Sequence, residues 1–357
     1  MAREFSIAGR NVGDGHPVYF IADIAANHDG DLSRAKDLIY LAKEAGADAA
    51  KFQHFRAETI VSDYGFRNLG GQQSHQEKWN KSVFDVYDDA SVPADWTAAL
   101  AETCAAAGIH FFTSPYDFDL VEDVNPYVPA FKIGSGDITW IEFIEYVAAK
   151  NKPTIIASGA ATIEDVRRAI DAALQVNPTV SLLQCNTNYT GSRENFRYIN
   201  LNVLKTFREL YPDLVLGLSD HTPGHTTVVG AVAFGARIIE KHFTDDTGRE
   251  GPDHAFSMTP QAWRDMVDAT EEIDLALGDG VKRVERNEEQ TCVLQRRGVV
   301  AARDLAEGTL LSIDNLVSLR PCPPDALLPY EIDQAFGKRT RRALTKGEHV
   351  GRADFVP

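Results

Sequence analysis

The sequence reads G-L-S-D-H-T at 217–222, I-I-E-K-H-F-T-D-D at 238–246 and G-P-D-H at 251–254. Two short apolar runs, 215–218 and 237–241, each end in polar residues. Ser219, Asp220 and His221 follow the first; His242, Thr244 and Asp245 follow the second. The segment between them, 226–235, is small and apolar with the spacing of a helix. The order is therefore strand, polar end, helix, strand, polar end. In a parallel barrel the C-terminal strand ends converge on one mouth, so His221 and His242 are expected to face each other from neighbouring strands. Two imidazoles so placed suit a divalent transition metal that keeps open positions for water or substrate. The alternative is two hydrogen-bonding histidines at strand ends.

The same alternation runs back through the chain. Apolar strands are expected at 18–24, 48–53, 110–114, 130–135, 154–158 and 180–184. Helical periodicity falls at 32–45, 94–107, 140–149, 162–176, 201–210 and 261–277. The predicted helix at 162–176 opens on a Thr162 cap with Glu164 and Asp165 in its first turn. The pattern is that of an α/β protein, a (β/α)8 barrel. A doubly wound open sheet is the weaker alternative, because no G-x-G-x-x-G follows the first strand. A hairpin is expected at 5–17 with its turn near Gly13-Asp14-Gly15, and the helix near 119–124 is weak. The connection 54–93 is too long for an ordinary loop and reads as a lid or an interface segment. The barrel domain is placed at 1–280, a charged linker at 281–292, and a small, mostly β domain with short turns at 293–357.

The chain has 357 residues and a formal net charge of -16, which argues against nucleic acid or an anionic membrane as the partner. No signal peptide or membrane-length apolar run is found. The four cysteines, Cys104, Cys185, Cys292 and Cys322, form no C-x-x-C and read as reduced thiols in a cytoplasmic protein.

Lys51 and Lys132 stand at strand ends among the hydroxyls of Thr113, Ser114, Ser135, Ser158 and Ser219. Carboxylates stand at Asp23, Asp137, Asp220, Glu240 and Asp253, a third histidine at His28, and amides at Asn27 and Gln53. Two lysines in a barrel mouth make a cradle for phosphate or carboxylate. The competing roles are an ion pair with a neighbouring carboxylate and a Schiff-base nucleophile.

F-I-A-D-I-A-A-N-H-D-G at 20–30, G-A-D-A-A-K-F-Q at 46–53, F-K-I-G-S-G-D at 131–137, G-L-S-D-H-T, E-K-H-F-T and G-P-D together resemble the N-acetylneuraminate (sialic acid) synthase family. The tail, R-G-V-V-A-A-R-D-L-A-E-G-T-L-L at 297–311 followed by L-V-S-L-R-P at 316–321, is similar to its antifreeze-like (SAF) domain. The resemblance implies condensation of phosphoenolpyruvate with an open-chain aldose such as N-acetylmannosamine, with release of phosphate. It implies phosphoenolpyruvate contacts at Lys51, Thr113, Lys132, Ser135, Ser158 and Ser219. It implies metal ligation by His221 and His242, with Mn2+ first and Mg2+ or Co2+ as alternatives. Asp23, Gln53, Asp137, Tyr189 and Asp253 fall where the family contacts the sugar or moves protons, with Asp23 and Asp137 as the acid–base pair. Arg320 matches an arginine that reaches into the partner's barrel, which implies a domain-swapped homodimer.

The sequence departs from the family on the sugar side. Glutamate is usual at the positions of Asp23 and Asp137. The family's C-T-N-x-Y becomes C-N-T-N-Y at 185–189, which moves its asparagine contact to Thr187. R-P-G becomes R-P-C-P-P at 320–324. Acceptors of the legionaminic or pseudaminic type, or a non-acetylated sugar, therefore stand beside N-acetylmannosamine. A catalytically drifted sugar-binding or regulatory protein is the non-enzymatic alternative.

Overall fold

The computed structural model describes residues 3–69 and 79–356. The chain forms two compact units, Met1–Gly278 and Asp279–Pro357. The first opens on a hairpin of β1 (Glu4–Ile7) and β2 (Arg10–Gly13). Its turn is Ala8-Gly9, both with positive φ, and not Gly13-Asp14-Gly15 as the sequence suggested. Two left-handed residues give a tight turn the twist that paired strands require.

Eight strands follow: β3 (Tyr19–Asp23), β4 (Ala49–His54), β5 (His110–Pro115), β6 (Phe131–Ile133), β7 (Thr154–Ala157), β8 (Val180–Cys185), β9 (Val215–Asp220) and β10 (Ala236–His242). All their ladders are parallel, in the order β5-β4-β3-β10-β9-β8-β7-β6. β5 and β6 approach within 8 Å between Cα atoms and close the circle. This is the expected (β/α)8 barrel. Every residue of β3, β8 and β9 is buried, as in strands covered on both faces.

Alternation along each strand sorts the side chains into two cores. Phe20, Ala22, Ala50, Phe52, Leu182, Leu216 and Ile239 face outward and pack under the helices. Tyr19, Ile21, Ala49, Phe112, Ile155, Leu183 and Ile238 fill the barrel, plugged at one end by Ile7 and Val12 of the hairpin. Gly217 lies inside this filling. A Cβ there would stand 2.1 Å from Leu183 Cδ2 and 2.3 Å from the Ile238 carbonyl, so only glycine fits. The helices obey the same logic. Ile163–Val176 carries a full capping box between Thr162 and Asp165 and buries Val166, Ala169, Ile170 and Ala173 on one stripe. The helix expected to be weak is present at Phe118–Val124, where the Asp117 carboxylate accepts from the Leu120 amide. Among the described residues no helix is long and apolar enough to cross a membrane.

The long connection after β4 is structured. It holds the helices Ala57–Ile60, Asp63–Asn68 and Val83–Ala90 within its described residues. In the second unit the charged run read as a linker is partly helical, at Arg286–Glu288 and Glu289–Gln295. Short antiparallel pairs follow: β11 (Gly298–Ala301) with β12 (Leu316–Leu319), and β13 (Arg339–Thr340) with β14 (Phe355–Val356). They surround a small core that includes Val299, Leu305, Leu311, Leu327, Leu344 and Val350.

Candidate active site

Register assembles the site. In a parallel ladder paired residues stand side by side on one face. Asp23 pairs with Lys51 on one flank and His242 on the other, Glu240 pairs with Ser219, and Gln53 pairs with Ser114. All lie on the interior face at the C-terminal ends, directly above the apolar filling.

The centre is a buried charge cluster. Lys51 Nζ donates to Asp23 Oδ2 at 2.6 Å and lies 3.9 Å from Glu240 Oε2. Lys132 Nζ donates to the Ile133 carbonyl at 2.7 Å and lies 3.5 Å from Glu240 Oε1, which also accepts from Ser219 Oγ at 2.9 Å. Burial alone would raise the Glu240 pKa, but the two lysines hold it down at about 2. Burial would likewise lower the Lys51 pKa, but the carboxylates of Asp23 and Glu240 carry it upward. Asp23 differs: burial wins over Lys51 and raises its pKa. Asp23 therefore takes a proton more readily than an ordinary carboxyl. The lysines are thus already ion-paired, and the family's phosphoenolpyruvate chemistry is not needed to explain their burial.

His221 and His242 stand above this floor with ring centroids 5.4 Å apart. The Nδ1–H of His221 donates to the Asn186 carbonyl at 3.0 Å, which leaves the lone pair on Nε2. Burial, aided by His242, pushes His221 down to about 4, so the ring is neutral at neutral pH. A neutral imidazole with its second nitrogen tied to a carbonyl fits a metal ligand. Among the described residues no group of three or more His, Cys, Asp or Glu is placed to hold an ion. The Tyr189 ring packs edge-on against His221, with centroids 4.4 Å apart.

A cavity of about 370 Å3 opens over the cluster. Gln53, Ser135, Asp137, Thr187, His242 and Asp253 line its polar side. Gln53 Nε2 donates to Asp23 Oδ2 at 3.0 Å, and Thr187 Oγ1 to Ser135 Oγ at 3.1 Å. Asp253 Oδ2 accepts from the Ala26 amide at 3.2 Å. Burial pushes Asp137 up to about 6 and Asp253 up to about 7. Gly134 lets the end of β6 pass Tyr116, whose Oη would lie 2.7 Å from a Cβ at that position.

Some expected residues lie elsewhere. Thr113 points out of the barrel: its hydroxyl bonds His54 Nδ1 at 2.7 Å and the Phe52 carbonyl at 3.0 Å. The interior position is Ser114, whose Oγ is buried without a hydrogen-bond partner. Ser158 Oγ donates to Gln184 Oε1 at 3.1 Å and accepts from the Cys185 amide at 3.0 Å, bracing the ends of β7 and β8. Asp220 faces outward, where it pairs with Lys241 and accepts from Thr222 and Thr227. His28 is buried with its ring centroid 5.5 Å from that of Trp96. Arg320 belongs to the second unit, where its Nε donates to the Gln295 carbonyl at 2.6 Å. Glu240, which ties both lysines together, was present in E-K-H-F-T without an assigned role. It lies two residues from His242, and strand alternation alone puts the two on one face.

The NeuB family model matches residues 38–282, and the SAF domain model matches 296–356. The chain belongs to the NeuB family. The N,N'-diacetyllegionaminic acid synthase of Legionella pneumophila is 33% identical over 347 residues, covering 93% of this chain and 94% of its own. The N-acetylneuraminate-9-phosphate synthase of Homo sapiens is 32% identical over 332 residues, covering 93% and 90%. The crystal structure of the N-acetylneuraminic acid synthetase of Leptospira borgpetersenii, in complex with citrate, superposes with a TM-score of 0.70. It is 29% identical and covers 82% of this chain and 95% of its own. NeuB relatives named for different products stand at nearly equal identity, so the likeness fixes the family and leaves the acceptor to the site's own chemistry.

Replacing Glu240 by Gln keeps the shape but leaves Lys51 and Lys132 short of a buried negative charge. Breaking such a pair costs about 3–5 kcal/mol. Urea unfolding of Glu240→Gln is expected to show a loss of that order, and inorganic phosphate is expected to stabilise the variant more than the native protein. An unchanged midpoint would mean that the lysines do not depend on Glu240.

Proposed function

We propose that this NeuB-family chain is a nonulosonic acid synthase. It condenses phosphoenolpyruvate with an open-chain acetamido aldose, N-acetylmannosamine or a legionaminic- or pseudaminic-type precursor, and releases phosphate. What carries the reading is the buried Lys51–Glu240–Lys132 cluster at the strand ends, next to the His221–His242 pair and to a cavity that His242 lines. A Schiff-base aldolase is disfavoured by the same cluster. Its nucleophile must be a neutral amine, and the carboxylates around Lys51 shift it the other way.

The roles follow from position. Lys51 and Lys132 hold the phosphate and carboxylate of phosphoenolpyruvate and offset the charge that gathers on them. Ser219, bonded to Glu240, is placed to orient the same oxygens, and Ser114 and Ser135 are the further hydroxyls assigned to them. A divalent ion on His221 and His242, Mn2+ in the first instance, would supply Lewis-acid polarisation of the aldehyde oxygen. The C3 of phosphoenolpyruvate bonds to the aldehyde carbon, water adds at C2, and the C2–O bond to phosphate breaks. Asp137, half-buried with its pKa near 6, is suited to take the proton of that water, and Asp23 to move the proton on the sugar oxygen. Gln53, Thr187, Tyr189 and Asp253 line the path of the sugar.

The chain is further proposed to act as a homodimer in which Arg320 enters the partner's barrel. This rests on the match of 296–356 to the SAF domain and on the R-P motif. Mixing Lys51→Ala and Arg320→Ala chains, each inactive alone, is expected to restore about a quarter of the native rate if two sites per dimer are shared at random. Absence of any recovery contradicts the exchange.

The deciding assay is phosphate release from phosphoenolpyruvate with Mn2+, against N-acetylmannosamine, mannose and 2,4-diacetamido trideoxyhexoses. Release with at least one acetamido sugar, with an 18O label on the bridging oxygen recovered in phosphate, is the expected result. No release with any aldose contradicts the synthase. In the same assay kcat/KM is expected to rise with pH through about 6, because a base must be ionised, and Asp137→Asn is expected to remove that limb.

A further inference from the structure

The segment 243–259, between β10 and the helix Pro260–Leu277, carries Asp253 to the cavity with one short helical turn, His254–Phe256. Backbone bonds close its two ends: the Thr244 amide donates to the Met258 carbonyl at 3.0 Å, and the Met258 amide to the His242 carbonyl at 2.8 Å. Between those ends its side chains bond to the loop after β3. Asn27, fully buried, donates through Nδ2 to the Phe243 carbonyl and to Ser257 Oγ, both at 2.9 Å. Ser257 Oγ donates in turn to the Asp253 carbonyl at 2.7 Å. Arg249 donates from Nε and Nη2 to Asp29 Oδ2, at 2.9 and 2.7 Å. The other oxygen, Asp29 Oδ1, stands 2.8 Å from His254 Nε2.

These contacts form a brace between the two loops. A carboxylate oxygen accepts, so His254 Nε2–H donates to Asp29 and Nδ1 accepts from the Thr244 hydroxyl at 2.7 Å. An Asp–His–Thr order could serve a nucleophile, but Thr244 and His254 are shut from solvent and neither lines the cavity that Asp253 lines. The ring lies instead against Gly251, where an added Cβ would stand 2.6 Å from His254 Cδ2, and so limits the path of the chain into Asp253. Asp29 has a φ of +54°, a left-handed conformation that persists where surrounding bonds over-determine it. What the brace sets is the place of one carboxyl. Asp253 Oδ2 accepts from the Ala26 amide at 3.2 Å and lies 3.8 Å from His242 Nδ1. A bond of that length from one amide is a weak hold by itself. Resting on the synthase reading for what meets Asp253, we propose that Asp29 and His254 are positioning residues. Bonded to each other across the two loops, they hold the Asp253 carboxyl at the cavity.

The test uses the full-length protein with three substitutions. Asp29→Gly removes the carboxylate at a backbone position that glycine takes without strain. His254→Ala removes the ring, and His254→Gln keeps a side-chain donor for Asp29. Native-state hydrogen exchange is read at two amides in one loop: Ala26, which donates to Asp253, and Ile24, which donates to the Lys51 carbonyl at 2.8 Å. Ala26 is expected to exchange about tenfold faster in Asp29→Gly and His254→Ala and near the native rate in His254→Gln, while Ile24 keeps its rate in all three. In calorimetric titrations of the Mn2+-loaded protein, His254→Ala is expected to weaken N-acetylmannosamine about tenfold and leave phosphoenolpyruvate unchanged. In an Asp253→Ala background it is expected to cost no further sugar affinity, because both substitutions act through one carboxyl. A native rate at Ala26 in both Asp29→Gly and His254→Ala overturns the proposal, and so does an equal rise at Ile24. Additive losses, or equal weakening of both ligands, overturn it as well. If the native protein binds no aldose, the synthase reading falls and the exchange rates alone decide the brace.

Discussion

Two buried lysines leaning on one buried carboxylate set the terms for the rest of the barrel. Lys51 and Lys132 are both shut from water, and Glu240 is the anion they share. Charges removed from water cost several kcal/mol each unless they are paired and hydrogen-bonded. The cluster is therefore tolerable only where register is fixed. β10 fixes it by pairing with β3 on one side and β9 on the other, which sets Ser219 against Glu240, while the β3–β4 ladder brings Asp23 to Lys51. A slip of one residue would turn Glu240 outward and Lys241 inward.

The barrel wall keeps its two faces chemically separate. On the outer face of the same strands, Asp220, Lys241, Thr222 and Thr227 form a closed network with its bonds satisfied internally. On the inner face, bonds are left over: Asp23 Oδ1, Glu240 Oε2 and Ser114 Oγ are buried without hydrogen-bond partners. Unsatisfied buried polar atoms are expensive and cluster where a ligand completes them. The unpartnered oxygens beside the lysines are the ones an anion at the mouth could face.

Much of this was legible in the sequence. Short apolar runs with polar ends gave the barrel, and the placement of His221 and His242 followed from neighbouring strands. What failed depended on register and parity. Thr113 and Ser114 are adjacent hydroxyls, and only the pairing of Gln53 with Ser114 decides which one faces inward. An ion pair with a neighbouring carboxylate is one of the lysines' expected roles, and only register decides that Glu240, among five strand-end carboxylates, is the one both share. The hairpin turn was misplaced because Gly13-Asp14-Gly15 is richer in turn residues than Ala8-Gly9, yet Gly13 lies in the strand and a Cβ there would collide with the Arg3 carbonyl at 2.0 Å. The connection 54–93 reads from its length as a lid or interface segment, but without strand or long helical periodicity its sequence does not tell that Phe55, Ile60 and Val86 line the cavity.

The most direct measurement is calorimetric titration of the native protein with phosphoenolpyruvate in the absence of sugar, repeated with Lys132→Met. One site per chain, with affinity falling about a hundredfold or more in the variant, is the predicted result, since a charge-assisted contact in a buried site is lost. Binding that survives the loss of Lys132 unchanged would contradict the account and place the anion elsewhere.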